Sequence, residues 1–335
     1  MRLRCYVGKS IQLNFAGYSL AGLFSQPDCN ATLEVVDWID DPQSIAIEAD
    51  GARLVLEVHD QSDKWCLPLL EWCDVYAKRN IDPAITTPLQ HKIVPFGMNV
   101  ACHSRRSALA VLSAIAAAFP SGFRPRPKDI YLYLVTPHWR DLEYHPDLPV
   151  NGNVLFQTRV WEPSDAPNDE GINDERIALL RALRVEFKHR FAGGLVHTSY
   201  SRKHYPELLT DVSTRQPQYI QWAKQHGVAV YSRGLFGSTA FKMPEYLAAS
   251  KCIVADRIRY ELPAPLAHMP AYDSPEACVV QCQNLLSKPS LMREQRHASW
   301  EYYNKYLRPP TAMRRLLDLA LLRKSLSRVT SASPQ

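Results

Sequence analysis

Residues 230–250 read Val230-Tyr-Ser-Arg-Gly-Leu-Phe-Gly-Ser-Thr-Ala-Phe-Lys242-Met-Pro-Glu245-Tyr-Leu-Ala-Ala-Ser250. An apolar strand end gives way to a loop holding Gly234 and Gly237, followed by Ser238, Thr239 and Lys242. A helix rich in small residues follows, with Glu245 near its first turn. Glycines let a ligand approach the backbone, and N–H groups and hydroxyls at a helix start attract phosphate. A carboxylate one turn further on suits both hydroxyls of a ribose. The same residues also read as an ordinary capped helix whose glutamate favours the positive end of the dipole. The stretch lacks GxGxxG and GxxxxGKS/T, which disfavours a hydride-transfer enzyme or a P-loop nucleotidase.

Outward from this stretch the pattern repeats. Toward the C-terminus come a short apolar strand at 252–255 and helices over 275–286 and 291–306. Toward the N-terminus lie strands at 228–231, 194–197 and 154–158, with helices at 218–226 and 173–190 between them. Asn173 reads as the N-cap of the last of these, with Asp174 and Glu175 favouring its dipole. Helix, glycine and short apolar strand in repetition predict a parallel sheet with crossover helices. The N-terminal half predicts strands at 3–7, 32–36, 44–47, 53–58, 92–94 and 130–135, with a helix over 107–119 that ends at Pro120. A polar, proline-containing stretch over 136–153 places a domain boundary near residue 150.

The 335 residues suffice for two domains, and 46% hydrophobic against 22% charged composition excludes disorder for most of the chain. No apolar run approaches the ~18 to 20 residues of a membrane helix. The N-terminus has no signal-peptide core, so the reading is cytoplasmic. Eight scattered cysteines without a CxxC pair read as buried thiols rather than as zinc ligands or a disulfide framework. The net charge of +5 suits an anionic ligand without demanding nucleic acid. Arg314, Arg315, Arg323, Lys324 and Arg328 gather near the C-terminus, where a solvated helix face and a peripheral contact with anionic lipid are both open.

The segment "FKMPEYLAASKCIVAD" (241–256) resembles the nucleotide-sugar-binding region of GT-B glycosyltransferases. There a glutamate opens a helix of small residues and a strand ending in a small or acidic residue follows. The later "YDSPEA" and "LLSKPSLMREQRHASWEYYNKYLRP" are similar to the closing helices of bacterial members, including the glycosyl transferase group 1 type and the spore-protein-like branch. The resemblance covers roughly 150–320 well. It extends to the N-terminal half through the α/β pattern and short pieces such as Asp74-Val-Tyr-Ala-Lys-Arg-Asn80.

It implies an α/β architecture of two Rossmann-like domains facing a central cleft: an acceptor-binding domain over 1–150, a nucleotide-sugar donor domain over 151–310, and a terminal helix and tail over 311–335. Carried onto this chain, Glu245 would hold the donor ribose, and Ser238, Thr239, Lys242 and Arg159 would lie near the diphosphate. Many retaining members have a second glutamate eight positions before the ribose glutamate. Here that position is Gly237, so inversion or retention is left open.

The implied reaction moves a sugar from a nucleotide-sugar donor to a glycan or glycolipid acceptor in bacterial surface polysaccharide or lipopolysaccharide synthesis, at the inner membrane face. No metal or cofactor is expected beyond the donor as co-substrate, because fixed positive charge can stabilise the leaving diphosphate. An inverting enzyme also needs a base, and the strand at 53–58 delivers His59 and Asp60 to its carboxyl end, where a buried turn is the plainer reading. His103 and His138 are weaker candidates, and His197 ends a donor-domain strand. The competing reading is a non-catalytic nucleotide-sugar or glycan-binding protein of the same fold. Nucleic-acid binding is disfavoured, since basic and aromatic residues do not interleave.

Overall fold

A computed structural model describes residues 1–87, 89–165 and 171–332, excluding the side chains of 328–332. The side chain of Arg328 and the terminal residues 333–335 therefore lie outside the described part. Contacts divide the chain into two compact units. One comprises 1–140, Tyr260–Ala264 and the chain from Lys305 onward; the other comprises Asp141–Arg259 and Pro265–Asn304. The division falls at 140 where the sequence suggests 150, and the terminal helix Pro309–Ala332 is part of the first unit.

The first unit is built on a six-stranded sheet of β1 (Arg2–Gly8), β2 (Asn30–Val36), β3 (Ser44–Ala49), β4 (Ala52–Glu57), β5 (Val75–Lys78) and β6 (Ile93–Pro95). Their order is β2-β1-β3-β4-β5-β6, with β3 antiparallel to both neighbours and the other pairs parallel. Strands β3 and β4 form a tight hairpin at Asp50-Gly51, where both residues have positive φ (47° and 87°), the backbone that an Asp-Gly turn supplies most readily. Helices Leu13–Leu23 and Pro309–Ala332 pack together, and the latter also meets β4 and β5, burying Leu20, Leu23, Met313, Leu316 and Leu317. A second cluster of Val55, Leu69, Leu70, Tyr76 and Ile93 forms a core under the Leu67–Trp72 helix.

One sequence expectation is corrected here: residues 130–135 are not a strand. Residues 130–134 fall in a helix, Pro127–Leu134, opened by Pro127 in its first turn with Asp129 behind it, and Val135 is its C-cap. The alternating Ile-Tyr-Leu-Tyr-Leu run has the period of a strand, but only Tyr133 of the helix is buried, so no sheet face forms from it.

The second unit holds β7 (Asn151–Thr158), β8 (Phe191–Leu195), β9 (His226–Tyr231), β10 (Cys252–Asp256) and β11 (Ala271–Tyr272). They form a fully parallel sheet in the order β11-β10-β9-β7-β8. Both faces are covered, so its central strands are near-continuous apolar runs. Ile177, Leu180 and Leu183 from the Ile172–Phe187 helix, with Cys278, Cys282 and Leu285 from Pro275–Ser287, pack on Val154, Phe156, Val228 and Val254. Asn173 is not the N-cap. That position is Gly171, and the Asn173 amide instead brackets the main chain of Trp161, accepting from its N–H at 2.9 Å and donating to its carbonyl at 2.8 Å. The eight cysteines are free thiols, six of them buried.

Candidate functional site

In the second unit the chain leaves β7 for β8 on one side and returns to β9 on the other. Strand order therefore reverses between β7 and β9, and their carboxyl ends flank the natural ligand position of such a sheet. Arg159 follows β7, and the 232–241 loop follows β9. Arg176, buried on the helix Ile172–Phe187, fastens the two strand ends by donating to the carbonyls of Arg159 and Arg233, each at 2.6 Å. The Arg233 guanidinium grips Glu175 with two bonds of 2.9 and 3.1 Å, and its main-chain N–H donates to Asp256 Oδ2 at 3.2 Å. A pocket of about 440 Å³ opens beside these groups, lined by Glu175, Ser232, Arg233, Asp256, Arg259 and Ser274.

The loop turns tightly. Gly234 N–H donates to the Ser238 carbonyl at 2.7 Å, and Phe236 and Gly237 both have left-handed backbones. A side chain at 237 would be strained by a φ of +73° and would press on Arg259. Tyr231 receives the Ala240 N–H at 2.9 Å and its own carbonyl is held by Tyr272, so the loop's exit is fixed to β9 and β11. Ser238 and Thr239 are buried.

Lys242 opens the next helix, Lys242–Ala248, with its ammonium 3.5 Å from the Tyr219 ring centroid and 2.8 Å from Glu245 Oε2. Glu245, almost wholly buried, also accepts from Gln216 at 3.4 Å. Arg159, Ser238 and Thr239 thus lie on the loops after two adjacent strands, and Lys242 and Glu245 on the helix that the second loop enters. Arg159 is exposed, its guanidinium 5.1 Å from the Trp161 ring. His197 follows the edge strand β8, where its Nε2 is tied to the Thr210 carbonyl at 2.7 Å.

In the first unit, His59 and Asp60 sit past the end of β4, as expected from sequence, in a dense polar network. His59 Nε2 meets Asp41 at 2.8 Å, and its main-chain N–H donates to Glu57 at 2.6 Å. Asp60 accepts from Arg79 at 2.8 Å, and buried Asn80 donates to the carbonyls of His59 and Asp60. Beneath them Glu57 and Lys78 form a fully buried ion pair. Burial pushes the Glu57 carboxyl up and Lys78 only partly offsets it; burial also raises Asp41, but the His59 and Gln43 hydrogen bonds outweigh it and hold Asp41 below the usual carboxylate range. His103 and His138 form a local bridge, with His103 exchanging main-chain bonds with Pro137 and Trp139.

Sequence reasoning missed Arg176, Arg233, Glu175, Asp256 and Asp41. Arg176 had a signal: it shares the stripe of Ile172, Leu180 and Leu183, and an arginine on an apolar face implies a buried partner. Among the described residues no cluster of three or more histidine, cysteine, aspartate or glutamate side chains is placed to hold a metal ion.

No protein-family model matches the chain, and no curated protein matches it in sequence. Solved structures similar to it include the C-terminal domain of a glycosyl transferase group 1 family protein, LpcC, from Francisella tularensis. It is 9% identical, covering 50% of this chain and 96% of that one at a TM-score of 0.37. Others are the UDP complex of S. aureus MnaA (10% identity, 98% of each chain, TM-score 0.45) and the UDP-GlcNAc 2-epimerase of Neisseria meningitidis bound to UDP-GlcNAc (11%, 96% of this chain and 100% of that one, TM-score 0.45). Their substrates are their own.

Proposed function

We propose that the chain is a GT-B glycosyltransferase that moves a sugar from a nucleotide-sugar to a glycan or glycolipid acceptor of bacterial surface polysaccharide or lipopolysaccharide, with the second unit binding the donor. The observation that carries this reading is the glycine-containing, left-handed loop after β9 at the point where strand order reverses, leading into the helix that holds Lys242 and Glu245. Such a loop accepts a phosphate against its backbone, and the adjacent cation and carboxylate match the two chemical parts of a nucleoside diphosphate.

When the acceptor hydroxyl attacks the anomeric carbon, the bond to the diphosphate breaks and negative charge grows on the leaving oxygen. Arg159, Lys242 and the loop N–H groups are the donors that meet this charge. Lys242 exchanges Glu245 for the diphosphate, and Glu245 then takes the ribose hydroxyls. The first unit is the acceptor half in this reading. His59 is the better base, since Asp41 fixes its ring whereas Asp60 is committed to Arg79.

The test is a panel of nucleotide sugars assayed for thermal stabilisation, because a ligand bound only by the folded chain raises its melting temperature. One donor shifts the melt, and Glu245→Gln weakens that donor by roughly tenfold to a hundredfold, the usual worth of hydrogen bonds to a charged group, with little change in the ligand-free melt. A panel without any shift overturns the donor site. Gly237 in place of a second glutamate favours a non-catalytic binder as the second reading; donor stabilisation without nucleoside diphosphate release in the presence of acceptor would establish it.

A further inference from the structure

Strands β7 and β9, which lead into the Arg159 loop and the 232–241 loop, separate before they end. Their pairing stops at Leu155 and Ala229, although β7 runs on to Thr158 and β9 to Tyr231. The outer ladders continue: β7 stays paired with β8 through Thr158, and β9 with β10 through Tyr231. The sheet therefore opens between the two strand ends at which its order reverses. A ladder fixes parallel strands ~4.8 Å apart, and beyond its last rung another group must set the spacing.

Arg176 spans this opening. Its Nη1 donates to the Arg159 carbonyl and its Nη2 to the Arg233 carbonyl, each at 2.6 Å. Both carbonyls belong to residues four places beyond the last paired ones, Leu155 and Ala229, so the planar guanidinium stands where the ladder would have continued. Arg176 is 5% exposed, on the stripe of Ile172, Leu180 and Leu183, where little water competes for the two bonds. The same turn of helix makes two further ties. Asn173 brackets the main chain of Trp161, and Glu175 holds the Arg233 guanidinium, while the Arg233 main-chain N–H reaches Asp256 at the end of β10. Residues 173–176 thus grip the chain beyond β7 and β9, and Arg233 carries the connection to β10.

We propose that Arg176 is a positioning residue for the diphosphate: it sets the distance between Arg159 on one side and residues 238–242 on the other, so that both sides meet one ligand. This role rests on the donor reading above and adds to it a residue that acts through the loops rather than on the substrate. Stabilising a leaving diphosphate requires donors fixed in advance, and a misplacement of about 1 Å costs on the order of a hundredfold. Lysine is no substitute, because an ammonium lacks the rigid fork that holds two carbonyls at one spacing. A nucleoside monophosphate has a single phosphate, needs only one of the two loops, and is insensitive to the distance between them.

The experiment is calorimetric titration of the full chain with UDP, CDP, GDP and ADP and with the matching monophosphates. It gives the ratio of diphosphate to monophosphate affinity for the nucleotide bound best. Arg176→Lys lowers that ratio by roughly tenfold to a hundredfold and leaves the monophosphate affinity within about twofold. Arg184 is the matched control, since it lies on the same helix and donates to the carbonyls of Glu207, Leu208 and Leu209; Arg184→Lys keeps the wild-type ratio. Where Arg176→Lys does not fold, Asn173→Ala decides: it frees the Arg159 loop alone and lowers the ratio by roughly threefold to tenfold. Three results would overturn the proposal: the ratio stays at its wild-type value in the deciding variant; diphosphate and monophosphate affinities fall together, the mark of structural damage alone; or Arg184→Lys lowers the ratio as much. If no nucleotide binds the wild type, the donor site fails and this role with it, whereas nucleotide binding indifferent to Arg176 and Asn173 defeats this role alone.

Discussion

Each unit buries a lysine, and the two solve the problem differently. In the first, Lys78 is wholly enclosed against Glu57, with further bonds to the carbonyls of Gln61 and Lys64 and the Trp65 ring 4.5 Å away. In the second, Lys251 is equally enclosed but donates to the carbonyls of Lys224 and His226, with a second cation, Arg296, nearby. A carboxylate partner keeps an ammonium charged in a low-dielectric interior, whereas carbonyls alone do not repay its lost hydration. Burial accordingly drives Lys251 well below its ordinary value, and Arg296 adds to the effect. The first unit thus holds its buried lysine against a carboxylate, and the second holds its own against main-chain carbonyls.

The contrast breaks most sharply at Lys78. Lys78→Met leaves Glu57 buried without its cation and lowers unfolding free energy by about 3–5 kcal/mol, measured by urea denaturation. Adding Glu57→Gln, which keeps an acceptor for the His59 N–H, restores a large part of the loss. If the single and double variants unfold alike, the pair is not what holds this region.

Next in size is the pH response of the second unit. His226 is buried with no partner for its Nε2 among the described residues, and burial, aided by Lys251, lowers its pKa from 6.5 to about 4. Between those values the unfolded chain binds the proton and the folded chain does not, so stability rises with pH. The contribution is complete above about pH 6.5 and falls away toward pH 4, by up to roughly 3 kcal/mol. Lys251 has the same sign on the alkaline side. Chemical denaturation across this range shows the slope, and His226→Gln flattens it; a slope unchanged by that substitution rules His226 out as its source.

The smallest effect belongs to the open pair of the candidate site. Glu175 is 56% exposed where it meets Arg233, so Glu175→Gln costs less than about 1 kcal/mol in the same denaturation assay. A loss as large as that of Lys78→Met would mean that this strand end is closed in the same way as the first unit's.

Much of the second unit was readable because its strands, buried on both faces, are apolar runs separated by glycines. A one-period rule suffices for them, and the strand at Val228–Tyr231, the loop and the Glu245 helix stand where the sequence puts them. The first unit was harder. The helix Leu13–Leu23 is apolar nearly all round because it is buried between neighbours, so it lacks an amphipathic stripe. Asp50-Gly51 was a legible hairpin signal that the reading passed over, and with it the antiparallel strand. The run at 130–135 misled because alternation alone does not supply a sheet partner.

By itself the sequence determined the α/β class, the division into two parts, and the placing of Arg159, Ser238 and Thr239 on loops after strands with Glu245 in the helix that follows, since these follow from local period and turn chemistry. Tertiary structure alone decided which strand ends are neighbours, and so brought Arg176 onto the carbonyls of Arg159 and Arg233, Asp41 onto His59, and Glu57 onto Lys78. Those partners are 17, 57, 18 and 21 residues apart along the chain. The apolar stripe marks Arg176 as buried, but nothing local names the partner in any of these pairs; a charge taken from water must find its partner wherever the fold places one.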